Sequence, residues 1–474
     1  MRKTKLTFAC VVGTRGCFSA ELARSGRKKL LDAIKAAGHK AVILPAGETP
    51  TGAVETIADA RKCADLFNQH RNEIDGVIVA LPNFGDELGV INALNWAKLG
   101  VPVLVQACDD DLDRLGTKQR RDSFCGKISV CCNLRQYGIP FTDTATHTVP
   151  LDSPAFAKDI EHFASVCRVT NGLRHARIGA IGARPAAFQT VRVSEKLLQA
   201  SGITVVPVDL SEIIAAAGRV DVKSARAKKR LAEMKGYGSV APGIPNLDAK
   251  FEKHVRLYLA VEDWLQANAI DAAGFQCWTS IQQNYGCATC LTMAMLGDQL
   301  VPCACEVDIA GVVSMYALAL ASGNAAAIVD WNNNYGADRD KCVAQHCGNY
   351  PKNFLGRGVE VDNLSVLSTV LDPEQCFGAI NGKAAPGPFT YLRFSTDDFK
   401  GRVRGYVGEG QFTDDPFHML GSIAVCEVPN LQQLLKFICK QGFEHHVAMV
   451  RSRVADIIHE AATTYLGWDM YRHE

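Results

Sequence analysis

The 474-residue sequence has no excess charge of either sign. Its 51 lysines and arginines nearly cancel 50 aspartates and glutamates, for a formal net charge of +1, which leaves no electrostatic footprint for nucleic acid or an anionic membrane surface. No stretch approaches the roughly 18 uninterrupted apolar residues of a membrane span, and there is no internal repeat or low-complexity segment. The opening MRKTKLTFACVV carries three basic residues, as an export signal would, but its apolar run is short and meets Gly13, Thr14 and Arg15 at once, so it reads as a first strand. Without an export signal, the 18 cysteines do not describe a disulfide framework. Several lie in apolar runs beside Val, Ala and Ile, as buried reduced thiols do, and a cytoplasmic location is the expectation.

What is there is periodic. A single core rarely grows beyond roughly 250–300 residues, so two or three domains are expected. Apolar segments at 5–12, 40–45, 75–81 and 101–107 alternate with helical stretches, the pattern of a doubly wound parallel sheet, over 1–170. A second α/β domain, 171–345, has strands at 176–181, 203–208, 271–277, 300–306 and 325–331. The last three are separated by helices near 286–297 and 307–322, so they are expected to be parallel with right-handed crossovers. From 346 to 474 the segments become short, alternating and punctuated by Gly and Pro, as in an antiparallel, barrel-like β domain. Two closing helices are expected near 430–441 and 448–465, the second from Val450, Val454, Ile457, Ile458, Ala461 and Tyr465 at helical spacing.

Gln276, Glu306 and Asp330 each end an apolar strand, the edge at which open α/β sheets bind ligands. On neighbouring strands, roughly 4.8 Å apart, the two carboxylates would repel unless a cation or proton lay between them. Oxygen ligands suit Mg or Mn, and an added imidazole moves the expectation toward Mn, Co or Fe. The competing reading is structural: Glu306 as a helix cap and Asp330 as a loop acid.

The run ACEVDIAG (304–311), VDW (329–331) 24 residues after the glutamate, and the late HHVAMVRS (445–452) resemble the L-fucose isomerase family. The resemblance implies an aldose–ketose isomerase with a divalent ion, usually Mn, on Glu306, Asp330 and His446, with His445 as the alternative histidine. The two carboxylates would also pass protons between C1 and C2 of an open-chain sugar through an ene-diol. It further implies a homo-oligomer, trimer or hexamer, with sites at subunit boundaries, and an arginine matching Arg15 that reaches a neighbouring subunit's site. The chain is shorter than the fucose isomerases, and 277–298 does not look like their substrate loops, which points to a different sugar: a deoxyhexose, a pentose or a sulfosugar such as sulfoquinovose.

Other residues have two readings. Arg15 could meet an anion beside a helix N-terminus or be a surface residue of a βα turn. His346 and His418, in loops rich in Asn, Gly and Asp, are candidate substrate contacts or solvated loop histidines. Gln276, Trp278 and Trp331 flank the expected site, although the tryptophans could be core residues. Cys287, Cys290, Cys303 and Cys305 have zinc-like spacing, but the second pair lies in a strand with alternating faces and reads as core thiols. A non-catalytic sugar-binding or sensing protein would share the α/β pattern but needs no paired carboxylates. An NAD-dependent oxidoreductase finds only GAIGARP (179–185), short of the full glycine fingerprint, with Asp209 and Glu212 somewhat further on than the roughly 20 residues at which the ribose-binding acid is expected, so that reading is unsupported but stays open.

Overall fold

A computed structural model describes residues 4–474; Arg2 and Lys3, two of the basic residues at the start, lie outside it. The chain forms two compact units, one of residues 1–171 with 460–467, the other of 172–459 with 468–474. No helix among the described residues is long and apolar enough to cross a membrane.

The first unit is a five-stranded parallel sheet in the order Lys40–Val42, Thr7–Val12, Gly76–Leu81, Val103–Ala107, Thr142–Asp143. Its inner strands are buried along their whole length, as expected of a sheet covered by helices on both faces. Thr56 and Asp59 begin the helix Ile57–Gln69 with reciprocal side-chain-to-backbone bonds, which satisfy otherwise orphaned donors. The returning segment 460–467 is fastened here by Tyr465, whose hydroxyl is 2.8 Å from Thr142 Oγ1.

The second unit contains a four-stranded parallel sheet, in the order Cys303–Ala304, Ala272–Phe275, Arg177–Ile181, Thr204–Val208, and a ten-stranded, mostly antiparallel sheet. Within the larger sheet, Arg402–Thr413, Gly387–Asp397, His446–Val450, Ala326–Tyr335, Asp338–His346 and Ser422–Glu427 pair in turn, all antiparallel. Ser422–Glu427 then pairs back onto Arg402–Thr413, so the six strands close a barrel. The two expected parallel sheets and the barrel are therefore present.

Two local expectations are corrected. Residues 325–331 do not form a further strand of the parallel sheet. Ala326–Tyr335 turns at Gly336 into a hairpin with Asp338–His346 and joins the barrel, because ten extended residues followed by a tight glycine turn favour antiparallel pairing over a crossover. The helix expected over 448–465 begins only at Ala455. Residues His446–Val450 are a strand buried on both faces, whose continuous apolar run fits either period.

Candidate active site

Strand Cys303–Ala304 ends at a turn in which Glu306 and Val307 both adopt left-handed backbone conformations (φ 55° and 54°). Such a conformation is costly for a β-branched valine, and strain of this kind concentrates at functional sites. The turn is seated against Gly274 of the neighbouring strand, where a Cβ would lie 2.9 Å from Val307 Cα. Asp308 follows as N-cap of the almost wholly buried helix Ile309–Ser322, its Oδ1 accepting from the Gly311 N–H at 2.9 Å.

The barrel brings the other groups. Asp330 and His446 are cross-strand partners, Gln345 is opposite Asp330 on the other side, and His346 ends the next strand. His446 Nε2 is 3.4 Å from Asp330 Oδ1 and 3.7 Å from Glu306 Oε2; His346 Nε2 is also 3.7 Å from Glu306 Oε2. Ligand atoms of Glu306, His346 and His446 lie within 4.8 Å of one another, as do those of Asp330, His445 and His446. Glu306, His346 and His446 are all but fully buried, whereas His445 is half exposed, with Nε2 3.6 Å from Asp330 Oδ1.

The two inward histidines hold their protons differently. His446 Nδ1 is 2.9 Å from Asp308 Oδ2. Arg393, completely buried, grips Asp308 with both terminal nitrogens, at 2.5 and 3.0 Å, and reaches Glu444 at 3.1 Å. Burial alone would raise the Asp308 carboxyl, but Arg393, followed by His446, holds it well below the usual carboxylate range. Asp308 therefore only accepts, His446 carries its proton on Nδ1, and the Nε2 lone pair faces Glu306 and Asp330, the orientation of a metal-ligating imidazole. His346 Nδ1 instead accepts the backbone N–H of Cys347 at 2.9 Å, which puts the proton of the neutral ring on Nε2. As held, His346 is a donor aimed at the site.

The electrostatics favour a cation or a proton between the carboxylates. Burial, then Cys277 and the carboxylates of Asp330 and Asp308, push Glu306 well above its usual range; burial, opposed by His446 and reinforced by Asp308, raises Asp330 to about 6. Burial, ahead of the neighbouring histidines, presses His346 far below its usual value and His445 to about 4. Arg393 alone faces Asp308 and Glu444, and no lysine or arginine pairs with Glu306 or Asp330 in the described ion pairs. Glu306 Oε2, Asp330 Oδ1 and His346 Nε2 are buried with no hydrogen-bond partner among the described residues. Native proteins seldom leave such atoms unmatched unless a ligand, ion or water completes them. The donor set fits a divalent ion.

The remaining candidates are placed differently. Gln276 Oε1 accepts the Ala183 N–H at 2.8 Å, and Trp278 packs edge-on against Phe188, so both support the loop after strand Arg177–Ile181. Trp331 donates from Nε1 to Tyr406 at 3.0 Å. His418 is exposed beside a surface cavity lined by Arg357, Lys383 and Phe417, and it joins neither histidine-containing ligand group. In the first unit, Arg15 lies over the Phe84 ring, 3.5 Å from Glu87 and 3.8 Å from Asp86. The sequence reading did not single out Asp308, Arg393, Glu444 or Cys277, although Asp308 stands two residues after Glu306 in the same quoted run.

Comparison with known proteins supplies the class. Residues 9–174 match the family model for the fucose/sulfoquinovose isomerase N-terminal domain, and residues 344–473 that for the L-fucose isomerase C-terminal domain. His346, Arg393 and His446 lie inside the second match; Glu306 and Asp330 lie between the two. The chain belongs to this fucose/sulfoquinovose isomerase family and is an aldose–ketose isomerase. It is 24% identical to the sulfoquinovose isomerase of Priestia aryabhattai over 93% of its own length and 94% of that protein. It is 30% identical to the sulfoquinovose isomerase of Clostridium sp. over 42% of its length and 44% of the relative, and 22% identical to that of Alkalicoccus urumqiensis over 77% and 79%.

Proposed function

We propose that the chain interconverts an open-chain aldose and its ketose at a divalent ion held by Glu306, Asp330 and His446, with Mn the best suited and Co, Fe or Mg as alternatives. The observation that carries this reading is the convergence of Glu306 Oε2 and Asp330 Oδ1, buried and unpartnered, on the Nε2 lone pair of His446. When bound, the ion supplies Lewis acidity to the substrate's O1 and O2. Glu306 and Asp330 remove a proton from one carbon and return one to its neighbour, which moves the carbonyl through an ene-diol. His346, with its proton on Nε2, donates to a substrate oxygen. Asp308 and Arg393 keep His446 in one orientation.

For the substrate we infer sulfoquinovose, because relatives of nearly equal length carry that name. The test strips the protein with chelator, restores Mn, and follows L-fucose, D-arabinose, L-arabinose and sulfoquinovose by NMR in deuterated water. Ketose formed only with metal, with deuterium entering C1 or C2, is the expected result, and Glu306→Gln and Asp330→Asn should each lower turnover by at least about 100-fold, the lower end of general acid–base contributions. Tight binding of one sugar with no turnover under any metal would favour a sugar-sensing protein instead.

A further inference from the structure

The two oxygens of Glu306 face different neighbours. Oε2 faces the histidines, while Oε1 is 3.3 Å from Sγ of Cys277. The sulfurs of Cys277 and Cys305 and a Glu306 oxygen all lie within 4.8 Å of one another, all three residues are buried, and neither cysteine is in a disulfide. Each sulfur receives an N–H: Glu306 N donates to Cys277 Sγ at 3.4 Å, and Asn349 Nδ2 to Cys305 Sγ at 3.2 Å. Donors aimed at both sulfurs compensate negative charge there, as outer hydrogen bonds do around thiolate-bound metals. A tetrahedral ion with metal–sulfur and metal–oxygen bonds of about 2.3 and 2.0 Å sets a sulfur-to-oxygen separation of roughly 3.5 Å. The Cys277–Glu306 pair is already close to that spacing.

We propose that Cys277, Cys305 and Glu306 Oε1 form a second cation site, specific for thiophilic divalent ions such as zinc or cadmium, back to back with the carboxylate–imidazole site. Glu306 bridges the two. Binding forms two metal–sulfur bonds and one metal–oxygen bond, and the protons held by the two thiols and by the Glu306 carboxyl leave to solvent. The existence of this site does not depend on the proposed isomerase mechanism; its consequence does, since an ion on the sulfur side draws charge from the shared Glu306 carboxylate and would inhibit the Mn-loaded enzyme.

The test uses metal-free full-length protein with the exposed Cys17, Cys125, Cys132 and Cys439 changed to serine, titrated with cadmium-113 alone. The first equivalent is expected to give an NMR resonance in the thiolate-ligated range. Cys277→Ser and Cys305→Ser should each abolish that resonance, and Glu306→Gln, which keeps the side chain's shape, should move it. A resonance confined to the oxygen and nitrogen range in the parent overturns the proposal without recourse to any variant. So does a thiolate resonance that survives either cysteine change or is unmoved by Glu306→Gln. No turnover is measured, so these outcomes leave the isomerase reading where its own test puts it.

Discussion

Asp308 sits between the Arg393 guanidinium and the imidazole that presents its lone pair to Glu306 and Asp330. Replacing Asp308 by Asn leaves one oxygen where His446 Nδ1 and the Gly311 N–H now use two, and it removes the charge that makes Nε2 a strong ligand and that neutralises Arg393. Loss of an outer partner of this kind typically costs 10–100-fold in metal affinity. Asp308→Asn is therefore expected to weaken Mn binding by about that factor in a calorimetric titration, with the fold retained by circular dichroism. Unchanged affinity would mean that His446 needs no such partner. Asp308 was not legible as a site residue because an aspartate at the start of an apolar helix is fully explained as a cap, and here it both caps the helix and holds His446. Arg393 was hidden for another reason: a charged residue in an alternating strand reads as solvent-facing, and nothing local reveals that its face of the barrel is closed over a carboxylate.

The turn 305–307 shows what an element contributes. Two consecutive left-handed residues direct the Glu306 carboxylate toward the barrel strands, and the turn fits only because position 274 has no side chain. Gly274→Ala would place a methyl group 2.9 Å from the backbone of Val307. Backbone cannot yield as a flexible side chain can, so overpacking of about 1–3 kcal/mol is expected, read as a lower denaturation midpoint, together with weaker Mn binding as Glu306 is displaced. Lost stability with intact metal affinity would separate the turn from the site. The sequence made the end of this strand visible, because an apolar run stopping at a glutamate before a helix is a local signal. It did not reveal the sheet to which Asp330 belongs. Strand period identifies 325–331 as a strand, but pairing is decided by partners more than 100 residues away at His446–Val450 and by the hairpin at Gly336. The candidate residues thus have other neighbours than the strand order implied: the turn after the parallel-sheet strand carries Glu306, and the barrel carries Asp330, His446 and His346.

At the scale of the whole molecule, stability has a pH dependence that does not involve the metal ligands. His254, on the helix Leu247–Ala267, is completely buried; its Nε2 donates to the Phe377 carbonyl at 2.9 Å, and Nδ1 has no hydrogen-bond partner among the described residues. Protonation would leave a buried N–H unpaired in the same helix as Lys250 and Lys253. Burial lowers this histidine from 6.5 to about 4, the Phe377 carbonyl opposing and the two lysines assisting. The unfolded chain therefore binds a proton between those two values that the folded chain does not, so stability falls as the pH drops through 6.5 and the loss is complete near pH 4. At about 1.4 kcal/mol per pH unit of difference, the full loss is about 3 kcal/mol. Comparing denaturant unfolding of the wild type and His254→Gln, whose amide keeps a donor for Phe377 but does not titrate, cancels the carboxylates common to both. The stability difference between the two proteins should shift by about 3 kcal/mol in favour of the variant from pH 7 to pH 4. A difference that stays flat across that window would mean that the imidazole accepts its proton in the folded state.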